Sequence, residues 1–256
     1  MLKHVDIIAC EDTRHSSQLL SVYGIKKKLI ALHQHNELDK AERIAKIVAD
    51  GKSVAYISDA GTPAISDPGA ALVECFHNLK LDVFSIPGPS ALIAAFSISG
   101  FETSHFQFFG FLPNTMGKRK KTLINIYNSN ITTIFYESPH RIIKTLKAMH
   151  EIFGNDHLVF IARELTKIFE SYYRGKLGEL IDEIENNKDN QKGEFVLIVS
   201  ALKKDSQKEK ILPLEEALKN TLNEISLKES VNVISEIYNM SKKEIYKLAL
   251  EIKKNE

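Results

Sequence analysis

The chain reads as two α/β units in tandem, followed by a helical tail. Three features carry that reading. Short β-rich runs alternate with segments of helical period up to about residue 100. A second set of strong strands, ITTIFY, LVFIA and FVLIV, follows the aromatic stretch FQFFGFLP. The polar run KKDSQKEK then separates these from a purely helical pattern. The expected division is 1–110, 111–202 and 203–256.

In the first unit, VDIIA (5–9) is a strand, and 13–23 is a helix that Gly24 stops. LIAL (29–32) is a second strand. Residues 38–50 place Leu38, Ala41, Ile44, Ala45 and Val48 on one helical face. SVAYI (53–57) is a third strand. Asp67-Pro68 then has the form of an N-cap with proline in the first turn, opening a helix to about Leu79. DVFSI (82–86) is expected as a fourth strand, and Pro89 as the start of a helix to about Ile98. This order implies a parallel or mostly parallel sheet with helices on its faces. In the second unit, ESPHRIIKTLKAMHEIFG is a helix with Ser138 as cap, Pro139 in the first turn and Gly154 as stop. ESYYRG adds a short strand and GELIDEIENN a helix. In the tail, Ser241 and Glu244 have the capping-box spacing ahead of the stripe Ile245, Leu248, Ile252.

Composition narrows the function classes. A chain of 256 residues with 43% hydrophobic and 26% charged residues has the balance of a soluble globule with a sizeable core. Lys+Arg is 34 against Asp+Glu 33, so no global field points to nucleic acid, and polyanion binding must come from local patches. GKRKK (117–121) and Lys26 to Lys28 are such candidates, against the plainer reading of solvated surface. Cys10 and Cys75 form no CxxC pair, which suits a reduced cytosolic compartment. The start MLKHVDIIACEDTR lacks the form of a signal peptide, and no apolar stretch is long enough to span a bilayer.

Ligands of open α/β sheets sit beyond the carboxyl ends of the strands, so the loops there are the candidate binding places. EDTRHS crowds Glu11, Asp12, Arg14 and His15 at one strand end. Capping by Asp12 or Thr13 accounts for part of it, while Arg14 offers a planar fork to phosphate. SDAGTPAISDPG (58–69) holds Asp59, Gly61 and Thr62 where no helix begins. A carboxylate there suits a ribose hydroxyl or an amine; the alternative is a decorated turn. IPGPSAL (86–92) makes a tight turn whose amides and Ser90 hydroxyl suit a small polar ligand. FYESPHR (135–141) leaves Glu137, His140 and Arg141 at one edge, with Ser138 most economically a cap.

Familiar motifs are missing. There is no GxGxxG, GxSxG or HExxH. GKS at 51–53 is the tail of a P-loop only, because Lys46 stands where the first glycine belongs. His33 and His35 lack a third ligand, so no metal site is expected.

ACEDTRHSSQLLSVYGI, SDAGTPAISDPGAALV, IPGPSALIAAFSISGF, FFGFLP, FYESPHRI, ARELTKIFE and KGEFVLIV occur in that order. Together they resemble the ribosomal RNA small-subunit methyltransferase I family, within the tetrapyrrole methylase superfamily, from about Val5 to Val199. The resemblance implies two α/β domains with S-adenosylmethionine in the cleft between them. It implies methyl transfer to the ribose 2′-hydroxyl of a cytidine in 16S ribosomal RNA, in the cytoplasm, by a homodimer. Carried over by motif, Asp59, Gly61, Thr62, Ser90 and Ala91 line the cofactor site, and Tyr136, Ala162, Gly193 and Glu194 approach it from the second domain. Glu11, Asp12, Arg14, His140, Arg141, Arg163 and Lys167 face RNA. Glu137 and Glu164, both at strand ends, are the candidate general bases. No metal is required.

The chain departs from the resemblance at its start. Members begin with a strand and a TPIGNL-like loop, whereas Met1 here falls inside the helix that follows. That strand would occupy the middle of the first sheet, and its loop would border the cofactor. Two alternatives therefore stand beside the RNA methyltransferase: a small-molecule methyltransferase on a tetrapyrrole-like substrate, and an inactive RNA-binding relative.

Overall fold

The computed structural model describes residues 1–101, 104–202, 214–238 and 240–254. It forms two compact units, Met1–Ala201 and Leu202–Glu256. The first holds two sheets. In the smaller, β1 (Ile7–Cys10) lies between β2 (Lys28–Ala31) and β3 (Val54–Ile57), all parallel. The crossovers are α1 (Thr13–Val22) and α2 (Glu37–Ala49), and α3 (Ala70–Asn78) follows β3. β1 is buried along its whole length, as a central parallel strand must be. Its core joins Ile7, Ala9 and Ile30 to Ala41, Ile44 and Ala45 of α2 and to Leu72 and Phe76 of α3.

The larger sheet runs β4-β5-β8-β6-β7, with β4 (Gln107–Phe111), β5 (Thr133–Glu137), β6 (Leu158–Arg163), β7 (Ser171–Lys176) and β8 (Phe195–Val199). The β4–β5 pair is parallel; β5–β8, β8–β6 and β6–β7 are antiparallel. One face packs on α5 (Met116–Ser129), α6 (Ile142–Phe153) and α7 (Leu177–Asn186) through Leu123, Phe135, Leu146, Ile161, Leu180 and Leu197. The other face, with Ile134, Phe160, Ala162, Val196 and Ile198, takes Leu92 and Ala95 of α4 (Ala91–Ser99). Hence FVLIV of β8 is apolar without alternation: it is covered on both sides. α4 follows the first sheet in sequence yet sits on the second, and so carries the preceding loops to that sheet.

Among its described residues the second unit is three helices, α8 (Leu214–Glu224), α9 (Leu227–Ile237) and α10 (Lys242–Lys254), around Leu218, Val231, Ile234, Ile245 and Ala249. The Ser241 and Glu244 side chains bond each other's backbone N–H groups at the start of α10, as the spacing predicts. Ser226 and Glu229 do the same at α9. The run KKDSQKEK lies outside the described residues.

Four local expectations are corrected. DVFSI forms no strand. β3 pairs only with β1, so no ladder reaches 82–86, and Val83, Phe84 and Ile86 stand exposed. High β-propensity describes a side chain suited to a sheet; it does not supply a partner. Asp67 is not the cap of α3. That helix begins at Ala70 with Gly69 in the N-cap position, and its first free N–H groups are met from another element: Glu37 accepts from Gly69 and Ala71, both at 2.8 Å. Ser138 and Pro139 precede α6, whose N-cap position is Arg141; the Ser138 carbonyl accepts from Arg141 and Ile142 in a lead-in turn. Likewise Pro89 precedes α4, which Ser90 introduces.

Phe135 is fully buried where β5 meets α5 and α6. Phe135→Ala is expected to lower the unfolding free energy by about 3–5 kcal/mol in a denaturant titration, from lost transfer energy and a residual cavity.

Candidate functional site

The site is built on a row of the larger sheet. Tyr136, Val196 and Ala162 are directly opposed across β5, β8 and β6, so their side chains share one face. Phe108 and Phe111 of β4 meet the Tyr136 ring edge-on, with centroids 5.0 and 5.7 Å away. Burial raises the pKa of the Tyr136 hydroxyl, and the backbone of Leu92 lies near enough to oppose that rise. Ala91 and Leu92 pack in the same apolar cluster as Tyr136, and Ser90 directly precedes them. Thr62 then ties the loop after β3 to the same place, its hydroxyl donating to the Pro89 carbonyl at 2.9 Å. The loop also touches β4. A Cβ at Gly110, whose φ is +62°, would stand 2.9 Å from the Ser66 hydroxyl. These contacts tie the loop after β3 to the turn before α4 and to β4, whose rings meet Tyr136.

A second loop, 164–170, borders it. Glu164 lies against Gly193: a Cβ there would fall 2.4 Å from the Glu164 side chain, so only glycine fits. Glu164 accepts from the Glu194 N–H at 2.9 Å and pairs with Lys167 at 2.8 Å. Lys167 also pairs with Glu194 at 3.0 Å. The Lys167 hydrogen bond holds the Glu164 carboxyl below its usual range. Ala64, Ser66, Glu164 and Thr166 all have φ between 51° and 68°, and all lie in these two loops. Non-glycine residues in that region store strain, and such strain collects where loops are shaped for a ligand.

The electrostatics are acidic. Glu11 after β1, Asp59 after β3 and Glu194 before β8 all act on Asp67. Asp67 shows the result most strongly: burial, then Glu11, Asp59 and Glu194, push its carboxyl up to about 6. The nearby cationic groups are limited. His15 lies 3.9 Å from Asp59, and Lys167 is already paired.

Several predicted site residues are placed differently from expectation. Glu137 is 1% exposed. Its carboxylate accepts from Ser138 N–H at 2.8 Å and Thr145 hydroxyl at 2.6 Å, and pairs with Arg141 at 3.0 Å. That saturation leaves it no route to a substrate hydroxyl. Arg141 also donates to the Leu112 carbonyl at 2.5 Å and to the Asn114 side chain. Arg163, 7% exposed, donates to the carbonyls of Lys192 at 2.6 Å, Asp189 at 2.7 Å and Phe169 at 3.2 Å. Both guanidiniums brace loops rather than face solvent. In the run GKRKK, Arg119 is 2% exposed and donates to the carbonyls of Pro113 and Asn114, both at 3.2 Å. Sequence reasoning missed that role; the signal was an arginine one turn from LPN. Arg14 is exposed and pairs with Asp12, which caps α1 through the Arg14 N–H at 2.8 Å. His140 is exposed. Among the described residues no group of three His, Cys, Asp or Glu side chains could hold a metal ion. No helix among them is long and apolar enough to cross a membrane.

Residues 1–181 match the family described as Tetrapyrrole (Corrin/Porphyrin) Methylases. The chain is 42% identical over 254 residues to the ribosomal RNA small subunit methyltransferase I of Vibrio cholerae, covering 98% of this chain and 87% of that protein. It is 41% identical over 247 residues to the protein of the same name from Haemophilus influenzae, covering 96% and 87%. Among solved structures, cobalt precorrin-4 methyltransferase CbiF, a cobalamin biosynthetic enzyme, is similar at a TM-score of 0.53 and 17% identity, covering 77% of this chain and 84% of that one. The methyltransferase CobJ is similar at 0.52 and 18%, covering 77% and 93%. At that identity these two likenesses speak for the fold alone.

Glu137→Ala would leave the Arg141 guanidinium without its carboxylate in a largely buried place. The expected cost is about 3–5 kcal/mol of unfolding free energy in urea, whereas a residue serving only chemistry would leave the midpoint unchanged.

Proposed function

Because the chain belongs to the tetrapyrrole methylase family, and within it to the ribosomal RNA small subunit methyltransferase I group, we propose that it transfers a methyl group to the ribose 2′-hydroxyl of a cytidine in 16S ribosomal RNA. The observation that carries this reading is the convergence of the loops after β1 and β3, the turn before α4, and the ends of β5, β6 and β8 on one acidic, aromatic-walled place. The residues suit S-adenosylmethionine. Carboxylates around an otherwise apolar wall complement a molecule with a sulfonium and an amino group, and the position beside Gly61 is open to a close approach.

When bound, S-adenosylmethionine supplies an electrophilic methyl group on sulfur. Asp59, Gly61 and Thr62, with Ser90 and Ala91, would hold it from the first sheet's side. Tyr136, Ala162, Gly193 and Glu194 would hold it from the second. The work left to the chain is alignment of the hydroxyl oxygen with the methyl carbon and exclusion of water, which the Phe108–Tyr136–Val196 surface provides. Glu11, Asp12, Arg14, His140 and Lys167 remain at the rim for RNA, while Arg141 and Arg163 act through the loops they brace. Residues 1–110 and 111–202 serve as the two lobes, with 203–256 as the tail. The reaction would take place in the cytoplasm, where small subunits are assembled. Two copies would associate, and the exposed ring of Phe109 on the edge strand β4 is one surface that could serve for it.

Two measurements test the proposal. Calorimetry should show the protein binding S-adenosylmethionine. Labelled cofactor should then pass its methyl group to small subunits purified from cells lacking this modification, and not to free cytidine or a porphyrin precursor. Label appearing only in the porphyrin arm, or no binding at all, would sink it.

A further inference from the structure

We infer that Asp67 is the proton acceptor for the substrate hydroxyl, a role that rests on the methyl-transfer reading above. Its position supports this. It follows two strained residues, Ala64 and Ser66, in a loop pinned at each end and in the middle. Thr62 bonds Pro89, Ser66 abuts Gly110, and the Tyr56 hydroxyl donates to the Pro68 carbonyl at 2.7 Å. Asp67 is thus fixed by the backbone on both sides, while its own carboxylate takes no hydrogen bond and no ion pair among the described residues. It is also a carboxylate that both sheets feel. It acts on Tyr56 of β3 and on Tyr136 of β5, and it is acted on by Glu11, Asp59 and Glu194.

The other carboxylates at the site are less suited. Glu137 is saturated by Arg141, Thr145 and Ser138. Glu164 and Glu194 share Lys167, which lowers the basicity of Glu164. Asp59 has His15 beside it at 3.9 Å. Glu37 is spent on the start of α3. An unpaired, half-buried carboxylate among like charges holds a proton more tightly than an ordinary exposed one, and with a pKa of about 6 it is largely empty of protons yet still basic at neutral pH.

The step balances as follows. The ribose O–H bond breaks and its proton goes to a carboxylate oxygen of Asp67. The hydroxyl oxygen forms a bond to the methyl carbon with its electron pair. The carbon–sulfur bond breaks and its pair stays on sulfur, turning the sulfonium into a neutral thioether. The proton later leaves Asp67 to solvent, because the resting carboxylate is the favoured form above pH 6.

The test compares wild type with Asp67→Asn and Asp67→Ser. The groups that would shape any pH profile here are Glu11, Asp59 with His15, Glu194 with Lys167, Tyr56 and Tyr136. Single-turnover methyl transfer to small subunits would be followed from pH 5 to 8, with cofactor affinity measured by calorimetry. Wild type should rise with pH through about 6 and then level. Both variants should be about 10²–10⁴-fold slower with that rise gone, and bind cofactor within about 3-fold of wild type, a small fraction of the rate loss. Folding is checked by melting. Because the native pKa of Asp67 lies above its unfolded value, its charged form costs stability once pH exceeds that of the unfolded group. Asp67→Asn should therefore melt above wild type at pH 8, and the gap should close by pH 4. A variant that keeps the rise near pH 6, or that loses cofactor binding in step with rate, overturns the assignment alone. Wild type that binds cofactor but methylates no small subunit overturns the substrate reading as well.

Discussion

The seat of α4 on the larger sheet is the contact on which the site depends. Leu92 and Ala95 pack onto the face that carries Ala162, Val196 and Tyr136. An apolar helix face against an apolar sheet face is worth far more than any one polar contact near it. Once α4 is placed, the turn 86–90 has nowhere else to lie. Thr62 fastens to that turn, and the whole loop 58–69 is drawn from the first sheet toward the second. The polar chemistry is therefore arranged by hydrophobic packing some residues away from it.

That arrangement assigns different work to residues of one charge. Arg119, Arg141 and Arg163 each direct several donors at backbone carbonyls of loops that carry the site. Buried guanidiniums bonded to carbonyls in this way are costly to disturb and make firm braces, although Nη1 of Arg119 is buried without a hydrogen-bond partner. The carboxylates divide in the same way. Glu37 and Glu137 complete helix starts and turns, while Glu11, Asp59, Asp67 and Glu194 crowd a common place. Burial and these neighbours push the Asp67 carboxyl up, so its charged form is a standing cost to the fold.

Much of this was legible in the sequence, for identifiable reasons. The apolar runs of β1 and β8, the period of α2, and the capping box of Ser241 and Glu244 are local patterns with local causes, and the structure has them. The clustering of the special loops followed from the rule that such loops gather at strand ends. Legibility failed where the partner was distant in sequence. Asp67-Pro68 looked like a cap because nothing nearby revealed that Glu37, thirty-odd residues earlier, would meet the amides of α3 instead. DVFSI looked like a strand because its side chains suit one, although no neighbour pairs with it. Arg119, Arg141 and Arg163 looked like phosphate ligands or surface because a sequence shows charge and hides burial.

These failures are connected. A residue type with strong local meaning is read locally, and sites are where the fold overrides local meaning. Glu137 has the composition of a catalytic acid–base and the environment of a structural acceptor. Asp67 has the composition of a cap and the environment of a basic carboxylate. What separates them is the number of partners: Glu137 has its oxygens filled by Ser138, Thr145 and Arg141, while Asp67 has like charges around it and no donor. A fold that spends donors on one carboxylate and withholds them from the other, within a short distance of the same sheet edge, has divided structure from chemistry by controlling where the hydrogen bonds go.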